Sequence, residues 1–172
     1  MNTDERLIER CIALEELIIA IKPFYHKSST TDNQKAFLET VIGAGLWYFP
    51  HNKTHWNKKI SRKAIQLVKQ NSNSKLTRDH IYPRKLSGRR LLSEDLGLTG
   101  EGITLFELYQ NELATFAVVT PEENRKLIEV QQDCEYGNWL EAYSKAQIEL
   151  IDFDNLIHTE EIQFISLLKR KV

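Results

Sequence analysis

The sequence predicts an α+β fold, a mainly helical chain around a small core of strand, strand and helix. Three observations point there. Leu7, Cys11, Leu14, Ile18 and Ile21 recur at helical spacing. Residues 114–120 form a β-branched, apolar run of the kind that makes a buried strand. Directly after it, Thr120-Pro121-Glu122-Glu123 is a helix start: a cap residue, the favoured first-turn proline, and a glutamate that completes a capping box.

Taken in order, Thr3-Asp4-Glu5 opens a first helix and Pro23 ends its pattern. Residues 27–33 are a polar loop, and a second helix is expected over about 31–44, carrying Phe37, Leu38, Val41 and Ile42. Ser61 caps a short helix with Ala64, Ile65 and Val68 on one side, stopped by the polar run 71–74. Residues 75–83 read as an extended segment closed by Pro83. Gly97, Gly100 and Gly102 mark loops before a short helix at about 103–111. After the strand and its capped helix, two more helices are expected, at roughly 138–151 and 158–170. One domain is expected over residues 1–172, with the strand-strand-helix core at about 75–132, an N-terminal helical region at 1–70 and a C-terminal one at 137–172.

At 172 residues the chain can bury a core without disulfides or a structural metal. Cys11 and Cys134 are its two cysteines, which excludes a disulfide framework or a cysteine-rich zinc site, and both read as buried small hydrophobes. No apolar run approaches the roughly 20 residues of a membrane span, and the 17–21 stretch lacks the flanks of a signal peptide. A cytoplasmic protein without a membrane partner is expected.

The net charge of −1 conceals an asymmetry. Residues 51–90 hold twelve Lys/Arg and a single acid, Asp79, for a formal charge of +11; the rest of the chain carries −12. Such segregation suggests a polyanionic partner, against the plainer alternative of a basic face offset by acidic helices.

The lone acid belongs to the phrase Asp79-His80-Ile81-Tyr82-Pro83, and the second strand runs into Val118-Val119-Thr120-Pro121-Glu122-Glu123-Asn124-Arg125-Lys126. Together these resemble the two strands and helix start of the HNH, or ββα-metal, nuclease superfamily. The resemblance covers residues 76–132, about a third of the chain. It implies a ββα-metal core in which His80 is the general base, Asp79 a metal ligand and Asn124 the second ligand, with one Mg²⁺ (or Mn²⁺) per site. The activity it implies is endonucleolytic hydrolysis of phosphodiester bonds, on DNA in preference to RNA, as in restriction, defence or mobile-element systems. The residue chemistry is compatible: a neutral imidazole with a pKa of about 6.5 can activate water, and carboxylate and amide oxygens suit Mg²⁺ or Mn²⁺ rather than zinc. On an ideal strand Asp79 and His80 point to opposite faces, so one would face the metal while the other reaches around the substrate phosphate.

Two departures narrow the expectation. Many family members have an Asn nine residues before the helix ligand, and Thr115 stands there; many have a third ligand four residues after it, and Ile128 stands there. Two protein ligands are therefore expected, completed by water. The 44-residue connection from His80 to Asn124 is long, and residues 86–112 could read substrate or merely cover the site. Arg78, Arg84, Lys85, Arg89, Arg90, Arg125 and Lys126 are expected phosphate contacts, with Lys58, Lys59, Arg62 and Lys63 extending the track on a preceding helix. His51 and His55, spaced as a zinc pair, lack a third ligand. His26 and His158 read as surface residues, and Asp154-Asn155 before His158 is discounted as a second motif. Trp47, Tyr48, Trp56 and Trp139 read as core packing, Trp56 being the best-placed base-stacking candidate. The oligomeric state is left open. Two rival readings remain: a nucleic-acid-binding protein that retains the fold without catalysis, and a helical protein-interaction module.

Overall fold

A computed structural model describes residues 3–49, 55–70, 75–131, 134 and 138–155. The expected helix at 158–170, the polar stop at 71–74, His51 and His158 lie outside the described residues. Element order is α1 (Thr3–Tyr25), α2 (Asp32–Trp47), β1 (His55–Ser61), α3 (Arg62–Lys69), β2 (Thr77–His80), α4 (Arg84–Ser93), α5 (Ile103–Leu108), β3 (Thr115–Val119), α6 (Pro121–Gln131), α7 (Trp139–Lys145) and β4 (Leu150–Asp152). A π-helical turn, Tyr109–Leu113, continues α5. The chain divides into two compact units: a helical unit of residues 1–55 and 82–115, and a sheet unit of residues 56–81 and 116–172.

In the helical unit, α1 buries Leu7, Cys11, Leu14 and Ile18, the stripe its periodicity predicts. The helix continues two residues past Pro23, which lacks the N–H that would bond the carbonyl four residues back and so leaves this last turn one hydrogen bond short. Thr31 caps α2 through a reciprocal capping box with Gln34. Helices α2 and α4 pack at backbone distance: a Cβ on Gly88 would collide with the Glu39 carbonyl, and one on Gly43 with the Arg84 carbonyl. The long connection, whose role the sequence leaves open, is thus the second half of this helical unit, α4 and α5 completing what α1 and α2 begin.

Glu15 fastens α1 to the α5 start. It is fully buried, and its carboxylate accepts from the backbone N–H of Gly100 and Gly102, both at 3.0 Å, and of Leu105 at 2.7 Å. The Gly102 and Leu105 N–H groups are donors a helix N-terminus leaves unmade, so a residue from 90 positions earlier acts as the cap and also holds the preceding loop at Gly100.

In the sheet unit the strand order is β2-β3-β1-β4. β2 and β3 are antiparallel, with Thr77 opposite Val119, Arg78 opposite Val118, Asp79 opposite Ala117 and His80 opposite Phe116. β1 and β4 are antiparallel as well. One face carries a core of Ile60, Ala64, Ile65, Val68, Leu76, Phe116, Val118 and Phe153.

The expected N-terminal helical region is interrupted by β1. Lys58 and Lys59, expected on a helix, lie on this strand. Its composition is poor for a strand. It forms because Ile60 is driven fully into the core, while Asn57 turns its side chain back to accept from the Lys59 N–H at 2.9 Å.

The expected helix at 138–151 stops at Lys145, and β4 follows. The stop is a Schellman motif: Ile148 N–H donates to the Tyr143 carbonyl at 2.8 Å and Gln147 N–H to that of Ser144 at 2.9 Å. Gln147 takes the left-handed conformation (φ 57°) where glycine is usual, so the sequence carries no stop signal. Two expected core aromatics are also corrected: Trp47 and Tyr48 are exposed, Tyr48 by 73%. Trp56, by contrast, packs edge-on against Phe153, as core packing requires.

Candidate active site

The site lies in the sheet unit, on β2, β3 and α6. The order is the expected one: two antiparallel strands, then a helix that begins two residues after β3 and packs against β2. The capping box at its start is formed. Glu123 N–H donates to Thr120 Oγ1 at 3.2 Å, and Thr120 N–H donates to Glu123 Oε2 at 2.9 Å. Ser61, the N-cap of α3, adds its hydroxyl to the same Glu123 oxygen at 2.5 Å while accepting from Ala64 N–H. One buried carboxylate thereby ties two helix starts together. This fixes the first turn of α6, which carries half-buried Asn124.

The β2–β3 register sorts the motif residues by face. Arg78 and His80 share a face with Phe116 and Val118, and Arg78 lies over the Phe116 ring at 5.1 Å. Asp79 and Thr77 take the other face, where Asp79 meets α6 and α7. His80 is half-exposed as the last residue of β2. The opposed faces follow from the strand's period of two.

Asp79 is only 5% exposed. Its Oδ2 accepts from the Tyr143 hydroxyl in a short hydrogen bond and from Gln131 Nε2 at 3.4 Å. Burial pushes its pKa up to about 6, against the lowering effect of these two donors. The Tyr143 phenol is pushed well up by burial and by the Asp79 carboxylate, so it stays protonated and donating. Gln131 stands seven residues after Asn124, two turns or about 10 Å along the axis, and fully buried Leu127 lies between them on the same stripe. Asp79 and Asn124 are thus both addressed to one side of α6, with the described hydrogen bonds of Asp79 going to its far end and to α7.

The donor set tests whether a metal fits. A carboxylate and an amide oxygen suit a hard cation that keeps several waters, and both described bonds to Asp79 fall on Oδ2, which orients Oδ1. Among the described residues no group of three or more His, Cys, Asp or Glu is placed to hold a metal ion; a pair of one carboxylate and one amide is not such a group. No described hydrogen bond joins Asp79 to Asn124, so the fit rests on donor chemistry alone: one carboxylate and one amide oxygen, with water completing the shell.

The basic residues are divided between the units. In the sheet unit, Arg78 and Arg125 are exposed, and Lys126 lies 3.7 Å from Glu122. Lys58 pairs with Asp154, Lys59 with Asp152 and Arg62 with Glu149. In the helical unit, Arg89 pairs with buried Glu39 at 3.1 Å, and Arg90 with Glu94 and Glu112. Arg84 stacks on the Trp47 ring, and Lys85 is exposed. Much of the +11 block is therefore offset by acids distant in sequence.

Sequence reasoning missed Tyr143 and Gln131. Gln131 had a signal, as a polar residue at i+7 on the inward stripe Asn124-Leu127-Gln131. Tyr143 had none, since nothing in residues 139–145 resembles a site motif. Among the described residues, no helix is long and apolar enough to cross a membrane. Compared with known proteins, the chain matches no family model, no curated protein and no solved structure.

Proposed function

We propose that this chain is a metal-dependent endonuclease of the HNH type, hydrolysing nucleic-acid phosphodiester bonds, with DNA as the preferred substrate and the cytoplasm as its compartment. One observation carries the reading: the Asp79-His80 pair closes a strand that is hydrogen-bonded to β3, and β3 leads directly into a doubly capped helix with Asn124 in its first turn. Asp79 and Asn124 would hold one Mg²⁺ or Mn²⁺ through carboxylate and amide oxygens. When bound, the ion supplies charge stabilisation at the phosphoryl and leaving oxygens. His80, half-exposed, takes the proton from the attacking water. The α6 N-terminus adds a dipole favourable to phosphate. Exposed Arg78, Arg125 and Lys126 contribute affinity through backbone phosphates without reading sequence.

The test is incubation of supercoiled plasmid with the full chain in Mg²⁺ or Mn²⁺, with and without EDTA, beside His80→Ala. Divalent-dependent nicking that falls by about 10²–10⁴-fold in His80→Ala is expected. Equal cutting by the variant, or none by the wild type, rejects the enzyme.

A second reading is nucleic-acid binding without cleavage. It is favoured by the enclosure of Asp79, whose carboxylate is engaged by Tyr143 and Gln131. It predicts salt-sensitive DNA binding that survives His80→Ala and needs no divalent ion.

A further inference from the structure

We infer that Tyr143 and Gln131 are positioning residues for the Asp79 carboxylate, so that α7, beyond the expected strand-strand-helix core, belongs to the metal-binding machinery. The inference rests on the reading of Asp79 as a metal ligand.

A carboxylate near the end of a four-residue strand is free to rotate about its terminal bond unless something holds it. Here two donors converge on the same oxygen, Oδ2, from two different helices. The rotation is thereby removed and Oδ1 is given a fixed direction. The donors are themselves held. Tyr143 is 2% exposed, its ring stands edge-on to Trp139 at 5.8 Å, and its backbone carbonyl is locked in the Schellman turn that ends α7. Gln131 closes the last turn of α6 and is buried. Supporting donors of this kind orient ligands and typically contribute 10- to 100-fold in metal affinity.

Asp79 differs from the two buried carboxylates of the helical unit. Glu15 is satisfied on both oxygens and Glu39 is paired with a cation, whereas Glu123, which caps α6, takes neutral donors on one oxygen as Asp79 does. Asp79 receives neutral donors, both on one oxygen, which leaves its negative charge for a cation to meet.

The experiment is calorimetric titration of the full chain with Mn²⁺, comparing wild type with Tyr143→Phe, Gln131→Met, Asp79→Asn and the double variant Asp79→Asn/Tyr143→Phe, each checked for folding by its thermal transition. Tyr143→Phe keeps the ring and its packing, and Gln131→Met keeps the length, so each removes a donor and little else. An affinity loss of about 10-fold or more in either single variant is expected. In the Asp79→Asn background, Tyr143→Phe should cost nothing further, because its effect passes through Asp79. If the wild type binds Mn²⁺ and both Tyr143→Phe and Gln131→Met match it, the positioning role is overturned while the metal site stands. Equal Mn²⁺ affinity in Asp79→Asn and wild type, or no binding by the wild type, overturns the ligand reading and this inference with it. Should Tyr143→Phe lose its thermal transition, Gln131→Met and Asp79→Asn decide by the same criteria.

Discussion

Each unit contains a buried carboxylate that accepts a tyrosine hydroxyl, and the two are completed differently. In the helical unit, Glu39 accepts from Tyr25 at 2.9 Å and pairs with the Arg89 guanidinium at 3.1 Å. In the sheet unit, Asp79 accepts from Tyr143 and from the Gln131 amide, and no ion pair is described for it among the described residues. Glu39 is neutralised by its own chain. Asp79 is left with hydrogen bonds but without compensating charge, a costly state in a low-dielectric interior unless a proton or cation relieves it. Two motifs so alike in donors are thus closed differently: the first by a guanidinium of its own unit, the second by neutral donors alone, the arrangement the proposed metal site would use.

The contrast can be broken in several ways. The largest effect expected is on activity: Asp79→Asn should reduce divalent-dependent plasmid nicking by about 100-fold or more, while Glu39→Gln should leave the rate near wild type. Comparable losses in both variants would erase the distinction.

Next comes the response to pH, followed by denaturant unfolding in EDTA. The folded pKa of Asp79, about 6, exceeds its ordinary 3.8, so between these values the native state holds the extra proton. This group's contribution therefore declines as pH rises from about 4 to about 6, by roughly 1–3 kcal/mol, and levels off above. Asp79→Asn should flatten that slope and stabilise the chain at pH 7 without metal; an unchanged slope would show that the carboxylate is not strained by burial.

Glu39→Ala should go the other way, costing about 1–3 kcal/mol in the same unfolding measurement by leaving the buried Tyr25 hydroxyl unpaired, while half-exposed Arg89 turns to solvent. A neutral result would reduce the Glu39 cluster to a surface-grade ion pair. Smallest, Thr120→Ala should cost about 1 kcal/mol by removing the cap of α6; no loss would mean that Ser61 and Glu123 hold the turn unaided.

What was legible in the sequence was local. β3 was readable because four of its five residues are buried behind apolar or β-branched side chains. The α6 start was readable because Thr120, Pro121 and Glu123 act within one turn of each other. The Asp79-His80 phrase and Asn124 could be picked out because their residue types carry chemistry whatever their surroundings. β1 and the end of α7 were not legible, because their causes are not local. Lys58 and Gln147 adopt positive φ without being glycine, and β1 owes its place to Ile60 finding a core assembled from four other segments. The charge block misled in the same way: its arginines and lysines are contiguous in sequence, but Glu149, Asp152, Asp154, Glu39 and Glu112 return from far along the chain to meet them.

By itself, then, the sequence determined the fold class, the identity of the three candidate chemical residues and the turn that presents Asn124, since each depends on neighbours a few positions apart. Only the tertiary structure decided that residues 82–115 complete a helical unit, and that Tyr143, 64 positions after Asp79, aims its hydroxyl at that carboxylate. Side-chain partners separated by dozens of residues are chosen by packing, and the period of a chain shows which face is buried but not which partner that face meets.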